Sequence, residues 1–97
     1  MGNHKGSSHR VYPSVRIEML VRFKDEVPDP QKRVLAEQAQ TRGFTNVTIR
    51  DCAKYFTFTV ANTTLRRARA VANKTANKLL ANLVTERFEF LKVEPVK

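Results

Sequence analysis

The chain has 97 residues, with 18 Lys plus Arg against 9 Asp plus Glu and a net charge of +9. That length allows one domain, and 41% hydrophobic with 28% charged residues is a globular rather than a disordered composition. A single Cys excludes an intrachain disulfide, no apolar run approaches the ~20 residues that span a bilayer, and a reducing cytoplasm is the expected setting.

Residues 1–14 read as a tail or extension, rich in Gly, Ser and His and without periodicity, and residues 15–97 as one domain. No signal-peptide core follows Met1, and Gly6 stands where a myristoylation signal wants Ser or Thr. Val15 to Lys24 alternates: Val15, Ile17, Met19, Val21 and Phe23 share one face, and Arg16, Glu18, Arg22 and Lys24 the other, which predicts a half-buried strand. Asp29 then Pro30 starts a helix, because Asp caps free N–H groups and Pro needs no N–H partner in the first turn. It should run to about Arg42, with Gly43 as a left-handed cap and only a thin stripe of Val34, Leu35 and Ala39 to pack.

Val47 to Cys52 and Lys54 to Val60 are rich in Thr, Val, Ile, Tyr and Phe and predict a hairpin of two strands. Asn62 to Thr64 offers caps for a second helix over about 65–80, with Leu65, Ala68, Ala72, Ala76 and Leu79 on one face. Arg87 to Val93 alternates again, with Phe88, Phe90 and Lys92 one way and Arg87, Glu89, Leu91 and Val93 the other. The predicted fold is α+β: a βαββαβ order giving a four-stranded, mainly antiparallel sheet with two helices on one face, in the ferredoxin-like manner. A domain this small gains from self-association.

No catalytic set emerges. Cys52 is the only thiol and no His lies in the predicted domain. Asp25, Glu26 and Asp29 lack calcium-loop spacing, and no Gly-rich phosphate loop is present. No catalytic, cofactor or metal residue is therefore expected. From Cys52 to Thr85 there is no acid, against Lys54, Arg66, Arg67, Arg69, Lys74 and Lys78. Arg66, Arg67, Lys74 and Lys78 thus form a candidate anion-binding face on the second helix, the basis of an alternative reading as an RNA- or nucleotide-binding module. Phe56 and Phe58 could stack bases on an open sheet but are better read as core.

Asp29-Pro30-Gln31, then Gly43-Phe44, Val47-Thr48-Ile49-Arg50, Lys54-Tyr55-Phe56, Leu79-Leu80-Ala81-Asn82 with Val84 and Glu86, and Phe88-Glu89-Phe90 follow in order along the chain. This series resembles the PurS family, the small subunit of bacterial and archaeal phosphoribosylformylglycinamidine synthase, over about Val15 to Val93. Lys32, Ala53 and Leu83 stand where that family usually has Gly, Gly and Pro. The resemblance implies a non-catalytic assembly subunit in de novo purine biosynthesis. It implies a homodimer or dimer of dimers, bridging a large synthetase subunit, which holds ATP and Mg, and a glutaminase subunit, so that ammonia from glutamine reaches formylglycinamide ribonucleotide. It points to Asp29, Pro30, Gln31, Lys54, Asn82 and Glu86 as partner-interface residues, with neither a cofactor nor a membrane expected for this chain.

Overall fold

The computed structural model describes residues 9–96. Strand β1 spans Tyr12–Phe23, helix α1 Pro30–Thr41, strand β2 Lys54–Thr63, helix α2 Leu65–Thr75, and strand β3 Glu86–Pro95; a π-helical turn, Ala76–Leu80, extends α2. The sheet has three strands in the order β2-β1-β3, both pairings antiparallel. The alternating residues of β1 set the layers. Val15, Ile17 and Met19 are fully buried against Ala68, Ala72 and Ala76 of α2, and Phe58, Val60, Phe88 and Phe90 close around them. Alanines on the inner face let the helix sit close to the strands, and α2 touches all three.

The four-stranded expectation is corrected. Val47 to Cys52 is irregular, and the strand expected to pair with β2 in a hairpin does not form; β2 lies instead beside β1, from Tyr12 opposite Thr63 to Val21 opposite Lys54. The pairing with β1 takes one edge of β2, and residues 47–52 do not pair with the other. The two helices meet the sheet unequally. Among the described residues α2 covers the sheet, while α1 packs extensively on no other element and Ala39 is its one buried residue. The molecule is accordingly long, 57 × 27 × 25 Å. Its radius of gyration is 18.1 Å, where a compact chain of this length would have about 12.5 Å.

Smaller shifts have local causes. The first strand starts at Tyr12, inside the stretch read as a tail, while residues 1–8 of that tail lie outside the described residues. The π-helical turn widens the end of the second helix, so Leu80 packs on the core and Leu79 is left 77% exposed, the reverse of the 3.6-residue expectation. A bulge of β3 against Glu18/Met19 changes its phase. Phe90 lies opposite Met19 but Val93 opposite Ile17, which turns Val93 inward and Lys92 outward, against the simple alternation.

Helix starts match their chemistry. Asp29 Oδ1 accepts from the Gln31 and Lys32 N–H groups at 2.9 and 3.2 Å, and Thr64 Oγ1 accepts from the Arg67 N–H at 3.1 Å. Helix α1 ends in a Schellman cap: Phe44 N–H donates to the Ala39 carbonyl, Gly43 N–H donates to that of Gln40, and Gly43 takes φ 88°. Asn62, at φ 50°, turns the end of β2 toward α2 in the left-handed region that Asn tolerates.

Candidate functional site

At the Lys54 end of the sheet, β1 runs between the starts of β2 and β3. Lys54 is opposite Val21, and Glu86 is opposite Phe23. Both therefore point to the same face as the core, beyond the alanine stripe of α2. There they meet across β1: Lys54 Nζ lies 3.2 Å from Glu86 Oε2. Glu86 is only 7% exposed. Its other carboxylate oxygen, Oε1, accepts the Asn82 N–H at 2.8 Å. Asn82 also orders the loop before β3: its Oδ1 accepts the Val84 N–H at 3.1 Å, and its carbonyl accepts the Glu86 N–H at 2.6 Å. The Asn82 N–H first, and Lys54 second, hold the Glu86 carboxyl below its usual range against the opposing effect of burial.

The first turn of α1 stands beside this pair. Asp29, Pro30 and Gln31 join Lys54, Glu86 and Cys52 around a cleft of about 240 Å³. Its floor is the end of β1, where Arg22 carries a network on the opposite face. Arg22 Nη1 pairs with Asp51, and Nη2 lies 3.1 Å from Glu89 Oε1. The buried Nε of Arg22 has no hydrogen-bond partner. Among the described residues, no three His, Cys, Asp or Glu side chains gather as a metal ligand set.

The basic side of α2 is a separate surface. Arg66 and Arg67 border an open cleft of about 570 Å³ with Asn62, Thr64 and His9. Lys74 and Lys78 are exposed further along. Arg69 differs from them. Its guanidinium lies 4.2 Å from the centre of the Phe90 ring, a cation–π contact that ties α2 to β3. No helix is long and apolar enough to cross a membrane, among the described residues.

Residues 16–94 match the family model described as PurS, phosphoribosylformylglycinamidine (FGAM) synthase. The chain belongs to the PurS family. Among solved structures it is similar to PurS of Methanocaldococcus jannaschii, one of the subunits of formylglycinamide ribonucleotide amidotransferase in the purine biosynthetic pathway. That likeness has 23% identity and a TM-score of 0.73, and covers 86% of this chain and 99% of that one. PurS of B. subtilis is 24% identical with a TM-score of 0.70, over 82% of this chain and 98% of that one. PurS of Thermus thermophilus is 24% identical with a TM-score of 0.68, over 88% and 100%. These likenesses establish the fold. No curated protein sequence matches the chain.

The six interface candidates that the PurS resemblance marks are dispersed in sequence, and the fold gathers them. Asp29, Pro30, Gln31, Lys54 and Glu86 line one cleft, and Asn82 holds Glu86 from behind. Asp29 is committed to capping α1, and Asn82 to the turn before β3. Sequence reasoning missed Arg22, Phe23 and Cys52 as neighbours of this group. Only the register of β1 against β2 and β3 brings them there, and periodicity carries no register.

Proposed function

We propose that this chain is the non-catalytic assembly subunit of a glutamine-dependent FGAM synthase in purine biosynthesis. It bridges a large synthetase subunit and a glutaminase subunit in the cytoplasm, so that ammonia from glutamine reaches formylglycinamide ribonucleotide without escaping to water. ATP and Mg belong on the synthetase, and this chain carries no cofactor. The observation that carries the reading is the family match across residues 16–94.

Self-association is part of the proposal. Val34 and Leu35 of α1 are 47% and 38% exposed, and Phe44 and Val47 just after it are 55% and 44% exposed. An amphipathic helix held off its own sheet is stabilised when another surface covers it. A two-fold dimer supplies that surface from a second copy, leaving the Asp29–Lys54–Glu86 cleft to face the larger subunits. Coupling of the two active sites then works through contacts that differ between the loaded and empty synthetase.

The test is ADP release by a PurS-dependent synthetase with its glutaminase, supplied with formylglycinamide ribonucleotide. The chain should switch on the glutamine-dependent rate and leave the ammonia-dependent rate nearly unchanged. No effect on the glutamine rate, with well-matched partners, would remove the proposal. The alternative reading, RNA or nucleotide binding by Arg66, Arg67, Lys74 and Lys78, keeps only the charge in its favour. Phe58 packs against the core and Phe56 is half-buried on the same face, so neither is free to stack a base.

A further inference from the structure

The turn between α2 and β3 holds aliphatic side chains in water. Val84 and Leu79 are 80% and 77% exposed, more than any other large apolar side chain among the described residues, and Leu83 between them is 43% exposed. A single exposed aliphatic side chain is ordinary, but three on residues 79–84 make a patch. The turn that carries them is firmly built. The π-helical turn before it puts Leu80 on the core and leaves Leu79 outside. Ala81 N–H donates to the Ala76 carbonyl, Val84 N–H to Asn82 Oδ1, and the Thr85 and Glu86 N–H groups to the Asn82 carbonyl. Asn82 N–H donates to Glu86 Oε1, and Lys24 N–H donates to the Thr85 carbonyl, which ties the turn to the end of β1. Apolar groups fixed in this way gain nothing for the monomer, but they lose little conformational entropy when a partner covers them.

We propose that residues 79–84 form an apolar plug, anchored by Leu79 and Val84, that seats in a carboxylate-rimmed apolar pocket on a larger subunit of the complex. The inference rests on the assembly function proposed above and assigns it a contact. Charge chooses the occupant. No acid occurs from Cys52 to Thr85, so the turn and the helix leading into it carry positive charge alone. Lys78 precedes Leu79, and Lys24 is bonded to Thr85; neither forms an ion pair among the described residues. Glu86, the acid next in sequence, is buried and already paired with Lys54. A second copy would bring its own net charge of +9 to the contact, whereas a rim of carboxylates is drawn to the two lysines. Position favours the same partner. Asn82 and Glu86 support both this turn and the cleft that Asp29, Gln31 and Lys54 line, so plug and cleft form one continuous surface. A few well-buried side chains carry most of the energy of such an interface, and the charged rim sets which partner it admits.

Glutamine-dependent ADP release by a PurS-dependent synthetase with its glutaminase tests this, read as the concentration of the full chain that gives half the maximal rate. Leu79→Ser with Val84→Ser should raise that concentration by about tenfold or more. Both side chains are exposed, so the unfolding midpoint of this variant should not fall, and its sedimentation alone should match the wild type. Lys24→Glu with Lys78→Glu should also raise the half-maximal concentration, and should flatten its dependence on salt. An unchanged half-maximal concentration for Leu79→Ser with Val84→Ser, beside a wild-type chain that works, would overturn the plug alone. Slower sedimentation of that variant by itself would overturn it too, because a second copy would then cover the patch. A wild-type chain that leaves the glutamine-dependent rate unchanged would overturn the assembly function, and the plug with it.

Discussion

Helices α1 and α2 are nearly equal in length, 12 and 11 residues, and each begins with a side chain that caps its free N–H groups. One is the lid of the core and the other is bare. The difference lies in the residues beyond the cap. Ala68, Ala72 and Ala76 give α2 a continuous small-residue face, each 0% exposed, that matches Val15, Ile17 and Met19. Helix α1 offers Val34, Leu35 and Ala39 among Gln, Lys, Arg and Glu, too thin a stripe to hold it on the sheet. A cap decides where a helix starts, and the apolar face decides whether it belongs to the core of its own chain.

The contrast is broken most strongly by placing a charge on each helix. Ala72→Asp should cost more than about 4 kcal/mol, because a carboxylate buried between α2 and β1 has no partner; denaturant unfolding should find the chain largely unfolded. Leu35→Asp should change the unfolding free energy of the isolated monomer by less than about 1 kcal/mol, since the site is exposed there, while sedimentation should show weakened dimers. Ala68→Leu should cost about 1–3 kcal/mol by overpacking the closest approach of helix to sheet, read from the same unfolding curves.

Removing the caps sharpens the comparison. Thr64→Ala and Asp29→Ala should each weaken their helix by about 1 kcal/mol. Thr64→Ala should lower the midpoint of global unfolding, because α2 and the core melt together. Asp29→Ala should leave that midpoint nearly unchanged in the monomer and appear as faster amide exchange in α1.

The smallest effect concerns pH. The folded Glu86 carboxyl titrates below its ordinary value of 4.5. It therefore contributes stability that is fully present above that value and is lost as pH falls toward the folded pKa. Glu86→Gln should flatten stability against pH in that acidic window. An unchanged acid limb would show that the Asn82 and Lys54 contacts do not hold the carboxylate in solution.

Elements whose signals are local were legible in the sequence: the alternation of β1, the Asp29-Pro30 start, the Gly43 stop, the alanine face of α2. The features that depend on strand pairing and register were not. Val47-Thr48-Ile49 is strand-prone, yet it pairs with no strand and β2 stands at the edge of the sheet. The phase of β3 changes at a bulge that no residue between Phe90 and Val93 announces. The family residues were found in the sequence through their resemblance, but their convergence on Lys54 and Glu86 required the register of β1 against both neighbours. Leu79 and Leu80 exchanged places because a π-helical turn is invisible to a 3.6-residue count.

In the proposed self-association, α1 completes its packing against a second copy of the chain. Intermolecular nuclear Overhauser contacts in a sample mixed from isotope-labelled and unlabelled chains test this most directly. Contacts are expected from the Val34 and Leu35 methyl groups of one copy to aromatic or methyl protons of the other. Contacts from those methyls confined to their own chain, with α1 folded back on its own sheet, would contradict the claim.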